Sequence, residues 1–284
     1  MSSQDSPATM SSQATPAKMP SPTKMPSQAS KASSLLPSVC FAGHSFLKPE
    51  RIRDAFPDFE PLLVSHGGFT YRELIDGGRS QQFRIEIQQA MSQRGGTILM
   101  LILGDNDFSL KTPDGIAKCQ QYEEMMSNPA AVVKAWRDKA HELAVSVGAS
   151  HVVLSPIFPR FFIKTPDDEP HKVPRRRRAK KAFYDETSGL PWSVDHRNWH
   201  NLLAKQVNRM LTSIIGTEWR IHFRAGCKVS MAVLDSDPLK VTHPKHYTEW
   251  GTRFGRVQPC IHPNSATFSS YIIEPLKTLL ESKE

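Results

Sequence analysis

From residue 38 to the C-terminus, short apolar runs alternate with longer amphipathic stretches. The runs at 38–42 (SVCFA), 61–64 (PLLV), 97–103 (TILMLIL) and 151–155 (HVVLS) predict buried strands, and 219–223 (WRIHF) predicts a fifth. Between them the pattern predicts helices over 80–92, 130–147, 194–215 and 266–280. In the second of these, Val132, Val133, Trp136, Ala140, Leu143, Ala144 and Val147 recur at helical spacing. Strands alternating with helices of this length predict an α/β layer architecture, a mostly parallel sheet covered on both faces. Ligands in such sheets bind beyond the carboxyl ends of the strands, so the residues that follow each run are the ones to read for chemistry.

Composition changes this picture at two places. Residues 1–37 are mostly Ser, Pro, Ala, Gln, Thr and Lys with Met-led near-repeats, and no aromatic precedes Phe41. Such a stretch cannot bury enough apolar area to offset ordering its backbone, so 1–37 is expected to be a disordered arm ahead of one domain over 38–284. The second place is a basic insert over 160–185, with nine Lys/Arg against four Asp/Glu. Of the net charge of +8, the arm supplies +2 and the insert +5, which leaves the rest of the chain nearly neutral. The longest apolar run, 97–103, falls far short of the roughly 18 residues a membrane helix needs, and no apolar segment of a secretory signal opens the chain. Cys40, Cys119, Cys227 and Cys260 are scattered without a CxxC pair. Together these features point to an intracellular protein, nuclear or cytoplasmic, with no membrane partner.

Four short motifs follow the predicted strands or precede the last helix: Gly43-His44-Ser45, Gly67-Gly68-Phe69-Thr70, Gly104-Asp105-Asn106-Asp107 and Ile261-His262-Pro263-Asn264. Singly, each reads as a turn or a helix cap. Together they can furnish one site. A serine hydroxyl needs a base to become a nucleophile, and a late histidine supplies one. The oxyanion then formed needs fixed donors, for which the backbone N–H groups of Ser45 and Gly68 and the side-chain amide of Asn106 are candidates. A glycine at 68 lets its N–H approach a ligand with no Cβ in the way.

These blocks resemble, in order and approximate spacing, the four that name the SGNH (GDSL-type) hydrolase superfamily for its Ser, Gly, Asn and His. Gly104-Asp105-Asn106-Asp107 is the most specific of them, and Gly43-His44-Ser45 stands where the family usually has Gly-Asp-Ser. Residues 151–160 are similar to the family's fourth strand and the loop after it. The Gly-His-Ser-Phe opening resembles the esterase-like domains carried by some invertebrate retroelements. The resemblance implies a three-layer α/β/α sandwich of SGNH or flavodoxin-like type. It also implies hydrolysis of a small ester or acetyl group without a cofactor, with Ser45 as nucleophile, His262 as base, and Ser45, Gly68 and Asn106 as oxyanion hole.

The sequence departs from that pattern where the family usually places an Asp three residues before its histidine, to orient the ring. Here the position is Pro259, between Gln258 and Cys260. Loss of an orienting acid costs about 10⁴ in rate in serine proteases. A backbone carbonyl, or Asp235 or Asp237 from farther off, remains as a substitute. His243, followed by Pro244, competes with His262 as base, but only His262 stands directly ahead of the last helical stretch. His196 and His200 are four apart on a predicted helix; Arg197 stands where a zinc protease carries its glutamate, so no metal is expected.

Within the insert, Arg175, Arg176, Arg177, Arg178, Lys180 and Lys181 form a run that cannot enter a core. It reads as a solvated loop, a nuclear-import signal or a phosphate-binding segment, and Phe161, Phe162, Phe183, Tyr184 and Trp192 flank it. The alternative function is therefore a catalytically silent SGNH-like or retroelement-derived accessory protein, contacting nucleic acid or an import receptor through 174–181.

Overall fold

A computed structural model of the chain describes residues 35–107, 127–159, 194–224, 226–236, 244–253 and 256–282. Most of the expected arm (1–34), the basic run 175–181 and His243 lie outside these residues. The described chain opens on a 3₁₀ turn, Leu36–Ser38, whose Leu36 is buried.

The strands are β1 (Val39–Gly43), β2 (Leu62–Ser65), β3 (Ile98–Ile102), β4 (His151–Leu154), β5 (Arg220–Arg224) and β6 (Cys227–Val233). They form one sheet in the order β2-β1-β3-β4-β6-β5, parallel throughout except for β5. Every residue of β1 and β3 is buried, which is why these strands appear in sequence as unbroken apolar runs. Alternate residues feed two cores. Cys40, Ala42, Leu99, Leu101, Val152 and Leu154 face helices α1 (Tyr71–Asp76), α2 (Ser80–Arg94), α3 (Pro129–Ser146) and α4 (Val194–Ile214). Val39, Phe41, Ile98, Met100, Ile102 and Val153 face the C-terminal helix and the short turns after β1. The result is the expected α/β layer architecture with a mostly parallel central sheet.

Local signals fix the helix limits. Asn128 accepts a hydrogen bond from the N–H of Ala131 at 3.3 Å, and Pro129 occupies the first turn of α3. Thr70 and Glu73 form a reciprocal capping box at the start of α1. Its buried face then carries Tyr71 onto Trp136 of α3, with ring centroids 4.3 Å apart and planes 13° from parallel.

Three elements differ from the sequence reading. The run at 219–223 does form a strand, but β5 is the antiparallel edge of the sheet; the parallel place beside β4 belongs to β6, which the sequence reading passed over. On β5, Ile221 and Phe223 stay 50% and 74% exposed. A separate two-stranded sheet, β7 (Tyr247–Arg253) paired antiparallel with β8 (Arg256–Pro263), was also not anticipated. Finally, the last helix, α5, is not uniform: Ser265–Phe268 is α-helical, Ser269–Ile273 is a π turn, and Glu274–Glu281 is α-helical again. At the π turn the Tyr271 carbonyl accepts a hydrogen bond from Ser236 Oγ at 2.8 Å, an external partner of the kind a locally widened helix makes room for.

The chain passes from β1 outward to β2, then returns across β1 to β3 on its other side. The carboxyl ends of β1 and β3 therefore mark a topological switch point, where α/β sheets leave a crevice.

Candidate active site

Three turns leave the carboxyl ends of β1, β2 and β3 side by side. Gly43 closes the pairing of β1 with β3 opposite Ile102, and a Cβ there would collide with the Ile102 carbonyl. The chain then enters a 3₁₀ turn, Ser45–Leu47. The β2 turn is tied to it twice, by the N–H of His66 to the Gly43 carbonyl at 2.9 Å and by Ser65 Oγ to the His44 carbonyl at 3.1 Å. Gly68 has φ +71°, a conformation that glycine adopts without a side-chain penalty. Arg79 steadies the loop from below: it donates to the Gly67 carbonyl at 3.2 Å, pairs with Glu73 and lies over the Phe69 ring at 5.5 Å.

After β3, each polar residue of the Gly104–Asp107 turn has a distinct partner. Asp105 Oδ2 lies 2.9 Å from His44 Nε2. Asn106 donates from Nδ2 to the Phe69 carbonyl at 3.4 Å, which uses one of its two amide N–H groups and sets it against the Gly68 loop. Asp107 accepts the N–H groups of Tyr71 and Arg72 at 3.1 and 3.2 Å, placing a carboxylate at the N-terminus of α1. Burial, with the Asp107 and Asp105 charges behind it, pushes the Tyr71 phenol well above its usual range, so it stays neutral.

His262 comes from the end of β8, only 8% exposed. Its Nε2 lies 2.9 Å from Ser45 Oγ, a contact between residues 217 apart in sequence. With Nε2 unprotonated the serine hydroxyl donates to it, the arrangement from which a base removes a proton. The ring rests edge-on against Phe46 at 5.6 Å, and the His262 carbonyl accepts from Thr248 Oγ1 at 3.2 Å. Asn264 caps α5 through the N–H of Thr267 at 2.9 Å and donates to the Lys245 carbonyl at 2.7 Å. Arg51 links the two sides: it donates to the Ser45 carbonyl at 2.8 Å, while its own carbonyl accepts Ser265 Oγ at 2.8 Å.

The structure thus brings Ser45 and His262 into hydrogen-bond contact and sets Gly68 and Asn106 on the neighbouring turns. Pro259 stands on β8 opposite Glu249 of β7. His196 and His200 fall on the first turns of α4, their side chains outside the described residues. Among the described residues no group of three His, Cys, Asp or Glu is placed to hold a metal ion, and no helix is long and apolar enough to cross a membrane. Sequence reasoning passed over the His44–Asp105 contact and the Arg51 link. The only signal for the first was that a histidine and an aspartate each precede a candidate site residue, and Arg51 had none.

No family model matches the chain, and no curated protein matches it. Among solved structures it is similar to a candidate acylhydrolase of Bacteroides fragilis, at 11% identity over 89% of this chain and 91% of that one, with a TM-score of 0.36. It is also similar to a protein described as a candidate platelet activating factor from Streptococcus pneumonia, at 12% identity over 90% of each chain and a TM-score of 0.35. A third is an α/β hydrolase enzyme from the metagenome of Lake Arreo, at 13% identity over 85% of this chain and 95% of that one, with a TM-score of 0.36.

Proposed function

We propose that the chain is an SGNH-type serine esterase or acyl hydrolase acting on a small ester or acetylated substrate. The observation that carries this reading is the 2.9 Å contact between Ser45 Oγ and His262 Nε2 at the switch point of a parallel sheet. In the first step Ser45 Oγ attacks the ester carbonyl carbon and its proton passes to His262 Nε2. The oxyanion so formed is met by the Ser45 and Gly68 N–H groups and the Asn106 amide. Collapse of this intermediate breaks the carbon–oxygen bond to the leaving alcohol, which takes the proton from the imidazolium and leaves an acyl group on Ser45. Water then gives its proton to His262 as it attacks the acyl carbon. The second collapse returns that proton to Ser45 and releases the acid.

Pro259 favours the competing reading, a catalytically silent domain whose partners, nucleic acid or an import receptor, bind through 174–181. A fluorophosphonate probe separates the two because it requires only an activated serine. Labelling of the wild type and its loss in Ser45→Ala supports the esterase. A folded wild type that takes up no label overturns it, and the silent reading then leads.

A further inference from the structure

We infer that His44 and Asp105 are a positioning pair, a buried tie that holds the Ser45 turn and the Asn106 turn in one fixed relation. The inference rests on the esterase reading for its catalytic consequence, but the tie itself does not depend on it. Among the described residues, the last backbone bond between these two stretches is the N–H of His44 to the Ile102 carbonyl, at 3.3 Å. Beyond that point the ladder no longer fixes how far Ser45 stands from Asn106. The His44–Asp105 contact spans that gap at 2.9 Å, one residue before each of the two site residues.

Both partners are 1% exposed. His44 Nδ1 and Asp105 Oδ1 have no hydrogen-bond partner among the described residues, so each side chain has the other as its polar mate there. A buried carboxylate with one mate is held firmly in place, because every competing position leaves it without one. The His44 ring also packs edge-on against Phe46 at 4.2 Å, and Phe46 in turn packs against His262. One buried pair therefore touches all three parts of the site: it adjoins Ser45 and Asn106 in sequence and reaches His262 through a ring. A nucleophile and an oxyanion donor need mutual placement within a fraction of an ångström, and a side chain that sets this spacing affects rate without touching substrate.

The test uses the full chain with Asp105→Asn and His44→Gln, which keep size and polarity, and the reciprocal double variant His44→Asp/Asp105→His, which keeps a tie of opposite polarity. Each is followed by fluorophosphonate labelling rate per folded molecule and by hydrogen exchange of the peptides covering 43–47 and 104–107. A positioning role predicts labelling slowed about 10- to 100-fold in each single variant, faster exchange in both peptides together, and recovery of both readouts in the double variant. A purely structural role would lower the unfolding midpoint yet leave the labelling rate of folded molecules unchanged, and that result overturns the proposal. Unchanged exchange in both turns of Asp105→Asn also overturns it, whether or not the wild type is labelled. A wild type without label sinks the esterase reading alone, and exchange still decides the tie. Should the single variants fail to fold, a folded double variant with unprotected turns and no labelling counts against the pair.

Discussion

Ser45 and Asn106 rise from adjacent strands of the six-stranded sheet, whereas His262 arrives at the end of a hairpin whose strands pair with each other. On the sheet side, β1 and β3 are buried at every position and packed on both faces. On the hairpin side, the anchors are few and specific: Phe46 against the ring, Arg51 between the Ser45 carbonyl and Ser265, and the Tyr247 hydroxyl on the Pro159 carbonyl at 2.7 Å. The first side owes its shape to the global fold. The second depends on docking, so its geometry can be lost while the molecule stays folded.

The comparison can be broken most forcefully at its meeting point. His262→Ala should slow fluorophosphonate labelling on the order of 10²–10⁴-fold with an unchanged unfolding midpoint, the range a general base contributes; labelling at the wild-type rate would return His243 to consideration as base. Phe41→Ala should do the reverse. Removing a fully buried ring from the sheet core costs about 3–5 kcal/mol in global stability, read from urea unfolding, and molecules that remain folded should label normally. Arg51→Ala should slow labelling roughly tenfold, about 1.4 kcal/mol of transition-state stabilisation, with little change in melting temperature. Tyr247→Phe removes one buried hydrogen bond, worth about 1 kcal/mol, and should appear as faster hydrogen exchange in β7 and β8 with β1 and β3 still protected.

The smallest effect concerns the sheet side alone. Hydrogen bonds from Gln82 and then His66 hold the Glu86 carboxyl below its ordinary value of 4.5. A depressed carboxyl contributes stability above its unfolded pKa, and that contribution fades as pH falls through the folded value. Melting temperature followed downward from pH 6 should therefore decline slightly less steeply in Glu86→Gln than in the wild type. Identical slopes would show that this half-exposed contact adds nothing.

The same contrast explains what could be read from sequence. Strands β1, β3 and β4 were legible because burial on both faces writes them as continuous apolar runs, and the edge strand β2, only half-buried, because Leu62, Leu63 and Val64 still stand together. Strand β6 was not, because Lys228 and Ser230 interrupt its apolar positions while Val229, Met231 and Val233 still reach the core. The hairpin was less legible still: Thr248, Glu249, Thr252, Arg253, Arg256 and Gln258 give it no apolar run. Ser45 and His262 could be named because each lies beside a recognisable turn or helix start. The His44–Asp105 contact could not, since nothing local joins residues 61 apart whose strands become neighbours only once the sheet forms. The basic run 175–181 is a compositional signal that falls outside the described residues, and of the expected arm only residues 35–37 fall within them, with Leu36 in the core.

Among the described residues the antiparallel strand β5 forms the far edge of the sheet, which bears on how two copies of this chain would meet. An outermost strand is a template for any other strand, and Ile221 and Phe223 make this one adhesive. Suppose two copies paired antiparallel about His222. Each Phe223 would then sit across from an Ile221, an attractive match, while the exposed Arg220 on the same strand is the kind of charge that blunts an edge. That charge would oppose the pairing of two such edges, most strongly at low ionic strength and less as salt is added.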